Sequence, residues 1–144
     1  MSGMKSFAAA IVIQARAETV WALLTDSARY PQWNSTVERV EGRIAAGEKL
    51  SVYTKASPAR AFPLRVTEFA PPERMTWTGG MPLGLFTGTR RYMLAPISAG
   101  QVEFIMHEEF GGLLAPLISR SIPDLQPMFE TFAADLKRCA EGVA

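Results

Sequence analysis

From Val37 to Phe110 the chain alternates short apolar and β-branched runs with turn-forming residues, and only afterwards commits to one long amphipathic helix. The predicted strands are Val37–Arg43, Lys49–Ala56, Arg60–Phe69, Arg74–Gly79, Phe86–Pro96 and Gln101–Phe110. Gly47, Ser57-Pro58, Pro71-Pro72, Gly79-Gly80 and Ala99-Gly100 supply the breaks between them. This meander spacing predicts an antiparallel sheet. In the closing segment Leu125, Met128, Phe129, Phe132, Leu136 and Cys139 recur at helical spacing, while Glu130, Asp135, Lys137, Arg138 and Glu141 fall elsewhere. Pro123 and Pro127 predict a short helical piece over Leu114–Arg120, a break near Pro123, and a main helix to about Cys139. Ahead of the meander, Phe7–Gln14 reads as a strand and Ala17–Thr25 as a helix. Its Glu18 sits at the electropositive end, and Val20, Leu23 and Leu24 share one face. A further short helix over Ser27–Gln32 is broken by Pro31.

The 144 residues are expected to form one domain spanning 1–144, long enough for a substantial core. Fifteen basic residues balance fourteen acidic ones with no block of either sign, which argues against nucleic-acid binding. A single cysteine, Cys139, excludes an internal disulfide framework and fits a reducing, cytoplasmic setting. The apolar run Phe7–Ile13 reads as strand and not as a signal peptide, because it lacks a charged leader and a cleavage site. No stretch reaches the roughly 18 apolar residues that a bilayer span requires.

The last two predicted strands carry the sharpest chemical reading. A three-residue loop Ile97-Ser98-Ala99 would set Leu94 against Val102, Tyr92 against Phe104 and Arg90 against Met106. Side chains alternate along strands, so these residues share one mostly apolar face with Glu108 and Phe110. Arg90 and Glu108 would then be diagonal neighbours inside an apolar cup. A buried charge is costly unless paired, so they satisfy each other or the polar end of a ligand. The competing reading is an ion pair at the rim, or two side chains reaching water. Arg91, Met93, Glu103, Ile105, His107 and Glu109 fall on the opposite, solvated face, which places the only histidine outside.

Other chemistries find no support. One histidine and one cysteine without HxxxH or CxxC spacing supply too few metal ligands. No serine sits in a G-x-S-x-G elbow, and no Gly-Lys-Ser/Thr or G-x-G-x-x-G accompanies the glycines, so no cofactor is expected. Gly79, Gly80, Gly84, Gly88, Gly111 and Gly112 read instead as sources of loop flexibility. They flank two apolar loops, Met81–Phe86 and Leu113–Ile118, which are expected to form a mouth, or to make transient membrane or protein contacts.

The segment Val20-Trp21-Ala22-Leu23-Leu24-Thr25-Asp26-Ser27-Ala28-Arg29-Tyr30-Pro31-Gln32-Trp33-Asn34, a short helix entering a Tyr-Pro-x-Trp corner, resembles the opening of the SRPBCC superfamily. These are the helix-grip proteins, also called START-like or polyketide cyclase/dehydrase-like. Gly47 before Leu50-Ser51-Val52, Val66-Thr67-Glu68 before Pro71-Pro72, Arg74-Met75-Thr76-Trp77, Glu109-Phe110-Gly111 and Phe132–Arg138 continue the resemblance in order. It implies an α+β helix-grip fold. A bent antiparallel sheet of six to seven strands would wrap around a long C-terminal helix, with two short helices after strand 1.

The resemblance also implies an internal apolar cavity. Trp77, Phe86, Arg90, Tyr92, Phe104, Met106, Glu108, Phe110, Phe129 and Phe132 are the candidate ligand-binding residues. The implied role is binding or carriage of a small hydrophobic molecule such as a lipid, quinone, aromatic or polyketide-like compound. Two alternatives stand beside it. One is a cyclase- or dehydratase-like enzyme with Glu108 as base, Arg90 holding an enolate or carboxylate, and Tyr92 beside them. The other is an interaction module that docks through its apolar loops onto a chaperone or a membrane enzyme.

Overall fold

The computed structural model describes residues 5–142, so the outermost residues of the expected domain, 1–4 and 143–144, lie outside the described ones. A strand β1 (Lys5–Ile13) leads into helix α1 (Ala17–Leu24), a single 3₁₀ turn (Ser27–Arg29) and the one-turn helix α2 (Tyr30–Trp33). Six strands follow: β2 (Val37–Glu41), β3 (Lys49–Thr54), β4 (Ser57–Ala70), β5 (Arg74–Met81), β6 (Phe86–Ser98) and β7 (Gln101–Gly111). The short α3 (Ala115–Ile118), a 3₁₀ turn (Ser119–Ser121) and the long α4 (Gln126–Ala140) close the chain. All seven strands form one antiparallel sheet in the order β1-β7-β6-β5-β4-β3-β2. The first strand therefore pairs with the last, and every other pairing is a hairpin.

The sheet curls around α4, the helix-grip arrangement the resemblance implies. Proline opens α2 and α4 at their first turns, where a missing N–H costs nothing. The apolar stripe of α4 puts Phe129, Phe132, Ala133 and Leu136 into the core, and Lys137 and Arg138 complement its electronegative end. Polar contacts fix the helix in place. Asp135 is buried and accepts from the backbone N–H and hydroxyl of Ser35 at 2.8 and 2.7 Å, and it also pairs with Arg138. At the other end, the Gln126 side-chain amide donates to Ala8 O at 2.6 Å, and its oxygen accepts from Ala8 N at 3.3 Å. That closes part of the otherwise open edge of β1.

Two expectations need correction. The β6–β7 turn holds two residues, Ala99-Gly100, with Ser98 facing Gln101. An irregularity between Pro96 and Ser98 shifts the register by one residue, so Leu94 faces Phe104, Tyr92 faces Met106, and Arg90 faces Glu108 directly instead of diagonally. Second, Gly79, Gly80 and Gly88 are not loop residues. Gly79 pairs with Gly88 and Gly80 with Thr87, so β5 continues to Met81. A Cβ on Gly79 would meet Leu64 Cδ2 and Pro63 O at 2.6 Å, so glycine is required by close strand packing there.

Candidate functional site

Strand pairing arranges the concave face in rows running across the sheet. One row reads Val66, Trp77, Arg90, Glu108 and Phe7, from β4 to β1. The row to one side is Met75, Tyr92, Met106 and Ala9. The row to the other side is Gly79, Gly88, Phe110 and Lys5. The one charged pair of the concave rows thus stands between a filled apolar row and a row with two glycines.

The pair is tightly bonded. Arg90 Nε and Nη2 both donate to Glu108 Oε1, at 2.9 and 2.5 Å. Arg90 Nη1 reaches the Tyr92 hydroxyl at 3.5 Å, and the guanidinium lies 4.9 Å from the centroid of the Phe129 ring on α4. The two side chains remain 19% and 14% exposed, so the pair touches solvent while Tyr92 and Phe129 beside it are buried. Both bonds fall on Oε1. Glu108 Oε2 has no hydrogen bond among the described residues and lies 3.6 Å from where a Gly88 Cβ would stand. The missing Cβ of Gly88 lets the Phe110 ring and this carboxylate oxygen lie close against the strand, since a Cβ there would stand 3.2 Å from Phe110 Cε1.

The electrostatics agree with that picture. Burial disfavours the charged form of Arg90, but Glu108 and the Tyr92 oxygen outweigh it, and the guanidinium holds its proton more firmly than usual. Burial raises the Tyr92 phenol, with Arg90 only partly offsetting it. Tyr30 is also raised, by burial first and then by Tyr92, and its hydroxyl donates to Leu24 O at 2.6 Å. Both phenols are held as neutral hydrogen-bonding groups.

The ten residues expected to bind ligand all face α4 or belong to it, but they divide by depth. Trp77, Tyr92, Phe104, Met106, Phe129 and Phe132 are at most 2% exposed. Their rings pack on one another. Phe132 stacks on Tyr92 and Phe104 at 5.8 and 6.2 Å, and Trp77 meets Tyr92 edge-on at 5.0 Å. Phe86, Arg90, Glu108 and Phe110 form the accessible end, with the Phe86 and Phe110 rings stacked at 5.7 Å. The surface also bears two depressions. One, of about 560 Å³, lies by the end of β2, the start of β3, the middle of β4 and the end of β5, between Glu41, Lys49, Leu64 and Gly80. The other, of about 400 Å³, lies between β1 and α4. Neither is lined by any of the ten residues.

Sequence reasoning missed Phe7, Gly88 and Tyr30. Inward alternation along β1 pointed to Phe7, which is buried and meets Phe110 and Phe129 at 6.5 and 6.0 Å. Tyr30 belongs to the Tyr-Pro-x-Trp corner and packs on Trp33 at 4.9 Å and Trp77 at 6.3 Å. Trp33 and Trp77 are both buried, and neither indole N–H finds an acceptor among the described residues. His107 lies on the outer face opposite Arg91 and Ala8, as alternation requires. No cluster of three metal-ligating side chains occurs among the described residues. Among them, no helix is long and apolar enough to cross a membrane.

The comparisons with known proteins agree with this architecture. A hypothetical protein of Helicobacter pylori, jhp0584, superposes with a TM-score of 0.77 at 11% identity, covering 94% of this chain and 88% of that one. Norcoclaurine synthase from Thalictrum flavum gives 0.71 at 11% identity, covering 96% and 94%. The di-domain ARO/CYC BexL from the BE-7585A biosynthetic pathway gives 0.71 at 16% identity, covering 96% of this chain and 47% of that one. At these identities the likeness shows the fold alone. No curated protein sequence matches the chain. The sequence does match, over residues 4–141, the family described as polyketide cyclase / dehydrase and lipid transport, and the chain belongs to that family.

Proposed function

We propose that the protein binds a small apolar molecule, aromatic or polyketide-like, and holds its oxygen-bearing end at Arg90 and Glu108. The observation that carries this reading is the placement of a partly exposed ion pair among apolar side chains, with one carboxylate oxygen of Glu108 free of hydrogen bonds among the described residues. A charged pair in such surroundings adds little to stability compared with apolar residues of the same size. It does provide directional hydrogen bonding for a carboxylate, carbonyl or phenol, while the partly exposed Phe86, stacked on Phe110, offers apolar surface to the rest of the molecule. The family description, with its cyclases and lipid carriers, supports a hydrophobic ligand. A structural neighbour, norcoclaurine synthase, has been solved with dopamine and hydroxybenzaldehyde, small aromatics with polar ends. The lone Cys139 fits a cytoplasmic setting.

Titration calorimetry with naphthoate and with naphthalene tests this reading. Arg90→Met should weaken naphthoate at least about tenfold, the value of a charge-assisted hydrogen bond, and leave naphthalene unchanged. Equal loss of both would mean that the substitution disturbs the fold around the pair instead of a contact with the ligand. Binding of neither to the parent protein would defeat the reading.

A second reading rests on the neutral Tyr92 phenol beside the guanidinium. In a cyclase- or dehydratase-like reaction, Glu108 would take a proton next to a carbonyl, and Arg90 and Tyr92 would stabilise the enolate oxygen. Glu108→Gln should then abolish turnover of a polyketide-like substrate while binding persists.

A further inference from the structure

We infer that the paired loops between β5 and β6 and after β7 form a tip that inserts into the headgroup region of an anionic lipid bilayer. Three leucines project from this tip: Leu83 is 90% exposed, Leu113 78% and Leu117 64%, with Met81 beside them at 44%. The two loops are one unit. Leu113 N donates to Gly84 O at 3.1 Å, and Leu114 N to Leu85 O at 2.7 Å. Gly112, at φ +107, lets the second loop lie directly against Gly84 O and Leu85 O. Mutual bonding of this backbone matters for a lipid contact, because unpaired N–H and C=O groups oppose entry into an apolar layer. Leu83 adopts φ +61, a left-handed conformation that glycine or asparagine normally occupies, and yet its side chain faces solvent.

Charge selects the partner. Neither 79–89 nor 111–123 contains an acidic residue, and their only charge is the exposed Arg120. Lys5 lies alongside, with Nζ donating to Ser119 O and Ile122 O at 3.2 and 2.8 Å. An exposed arginine close in sequence to protruding apolar side chains, with no acidic residue between them, favours a negatively charged interface. Protein interfaces centre on aromatic and arginine anchors, whereas leucine is under-represented among their hot spots. Here the aromatic of the tip, Phe86, is turned inward onto Phe110. This inference does not rest on the ligand reading.

Flotation with vesicles of phosphatidylcholine alone, and of phosphatidylcholine mixed with phosphatidylserine, tests it. The parent protein should float with the anionic vesicles. The triple variant Leu83→Ser/Leu113→Ser/Leu117→Ser should bind at least about tenfold more weakly, since each leucine loses its apolar transfer. Arg120→Glu should cost about fivefold or more on anionic vesicles and nothing on neutral ones. Arg90→Met should float like the parent, which separates this tip from the ligand site. Unchanged melting curves would show that the tip variants fold. Failure to bind either vesicle would overturn the inference, as would equal binding by the triple variant. So would a parent dimer, dissociated by the leucine substitutions, that ignores lipid.

Discussion

Arg90 and Glu108 stand directly opposite one another on β6 and β7, and two guanidinium nitrogens converge on a single carboxylate oxygen. Removing one partner leaves the other charge largely buried. Breaking a buried pair usually costs 3–5 kcal/mol, and the partial exposure here reduces that to about 2 kcal/mol for Arg90→Met or Glu108→Leu alone. The double variant should recover most of the loss. A double-mutant cycle by urea denaturation should give a coupling of about 1–3 kcal/mol. Additive effects would mean that the two side chains do not sense each other.

Phe132 is the hub of the core, touching Tyr30, Trp33, Tyr92 and Phe104 at centroid distances of 6.4, 5.6, 5.8 and 6.2 Å. Phe132→Ala should destabilise by about 3–5 kcal/mol. The exposed Leu83→Ser should fall within about 0.5 kcal/mol of the parent, which thermal melts will show.

Gly88→Ala places a methyl group 3.2 Å from Phe110 Cε1 and 3.6 Å from Glu108 Oε2. The stacked Phe110 ring must yield by a few tenths of an ångström, and the methyl crowds the carboxylate oxygen that is free of hydrogen bonds. Naphthoate affinity should drop about tenfold, roughly 1.4 kcal/mol, while stability changes by less than about 1 kcal/mol. Calorimetry and melting curves on the same variant separate the two effects, and unchanged affinity would place the ligand elsewhere.

Tyr30 and Tyr92 both hold their protons more firmly folded than unfolded, because burial disfavours the phenolate. Their neutral forms are favoured in the native state. That stability is fully present below the unfolded phenol pKa of about 10 and is lost as pH rises through the higher folded values. Urea midpoints should therefore hold steady to about pH 10 and then decline. Spectroscopic titration should show these two tyrosinates appearing together with unfolding. Tyr92→Phe should lessen the alkaline decline. A decline of the same size in Tyr30→Phe, Tyr92→Phe and the parent would contradict the assignment.

Period-two alternation made the face of each residue legible, and it placed Arg90, Tyr92, Phe104, Met106, Glu108 and Phe110 together on the concave side. The partners were not legible, because register depends on turn length. The Ala99-Gly100 turn together with the one-residue irregularity between Pro96 and Ser98 shifts the pairing by two residues, which preserves every face and changes every neighbour. Gly79 and Gly88 carried a readable signal that pointed the wrong way. Glycine commonly marks a loop, and only the approach of Leu64 and Phe110 shows why a paired strand needs it here. The long C-terminal helix, by contrast, followed from local residues: Pro127 opens α4, and the apolar spacing of 125–139 matches its buried face. Pro31, expected to break a helix over Ser27–Gln32, instead stands in the first turn of α2, which runs on to Trp33.

Backbone amide NMR during a titration with naphthoate tests the central claim most directly. Shifts should concentrate at Gly88–Tyr92 on β6 and Glu108–Phe110 on β7, with smaller changes at Phe129, and should disappear in Arg90→Met. Shifts confined to the depression between Glu41, Lys49, Leu64 and Gly80, or the absence of any shift, would contradict a ligand site at the Arg90–Glu108 pair.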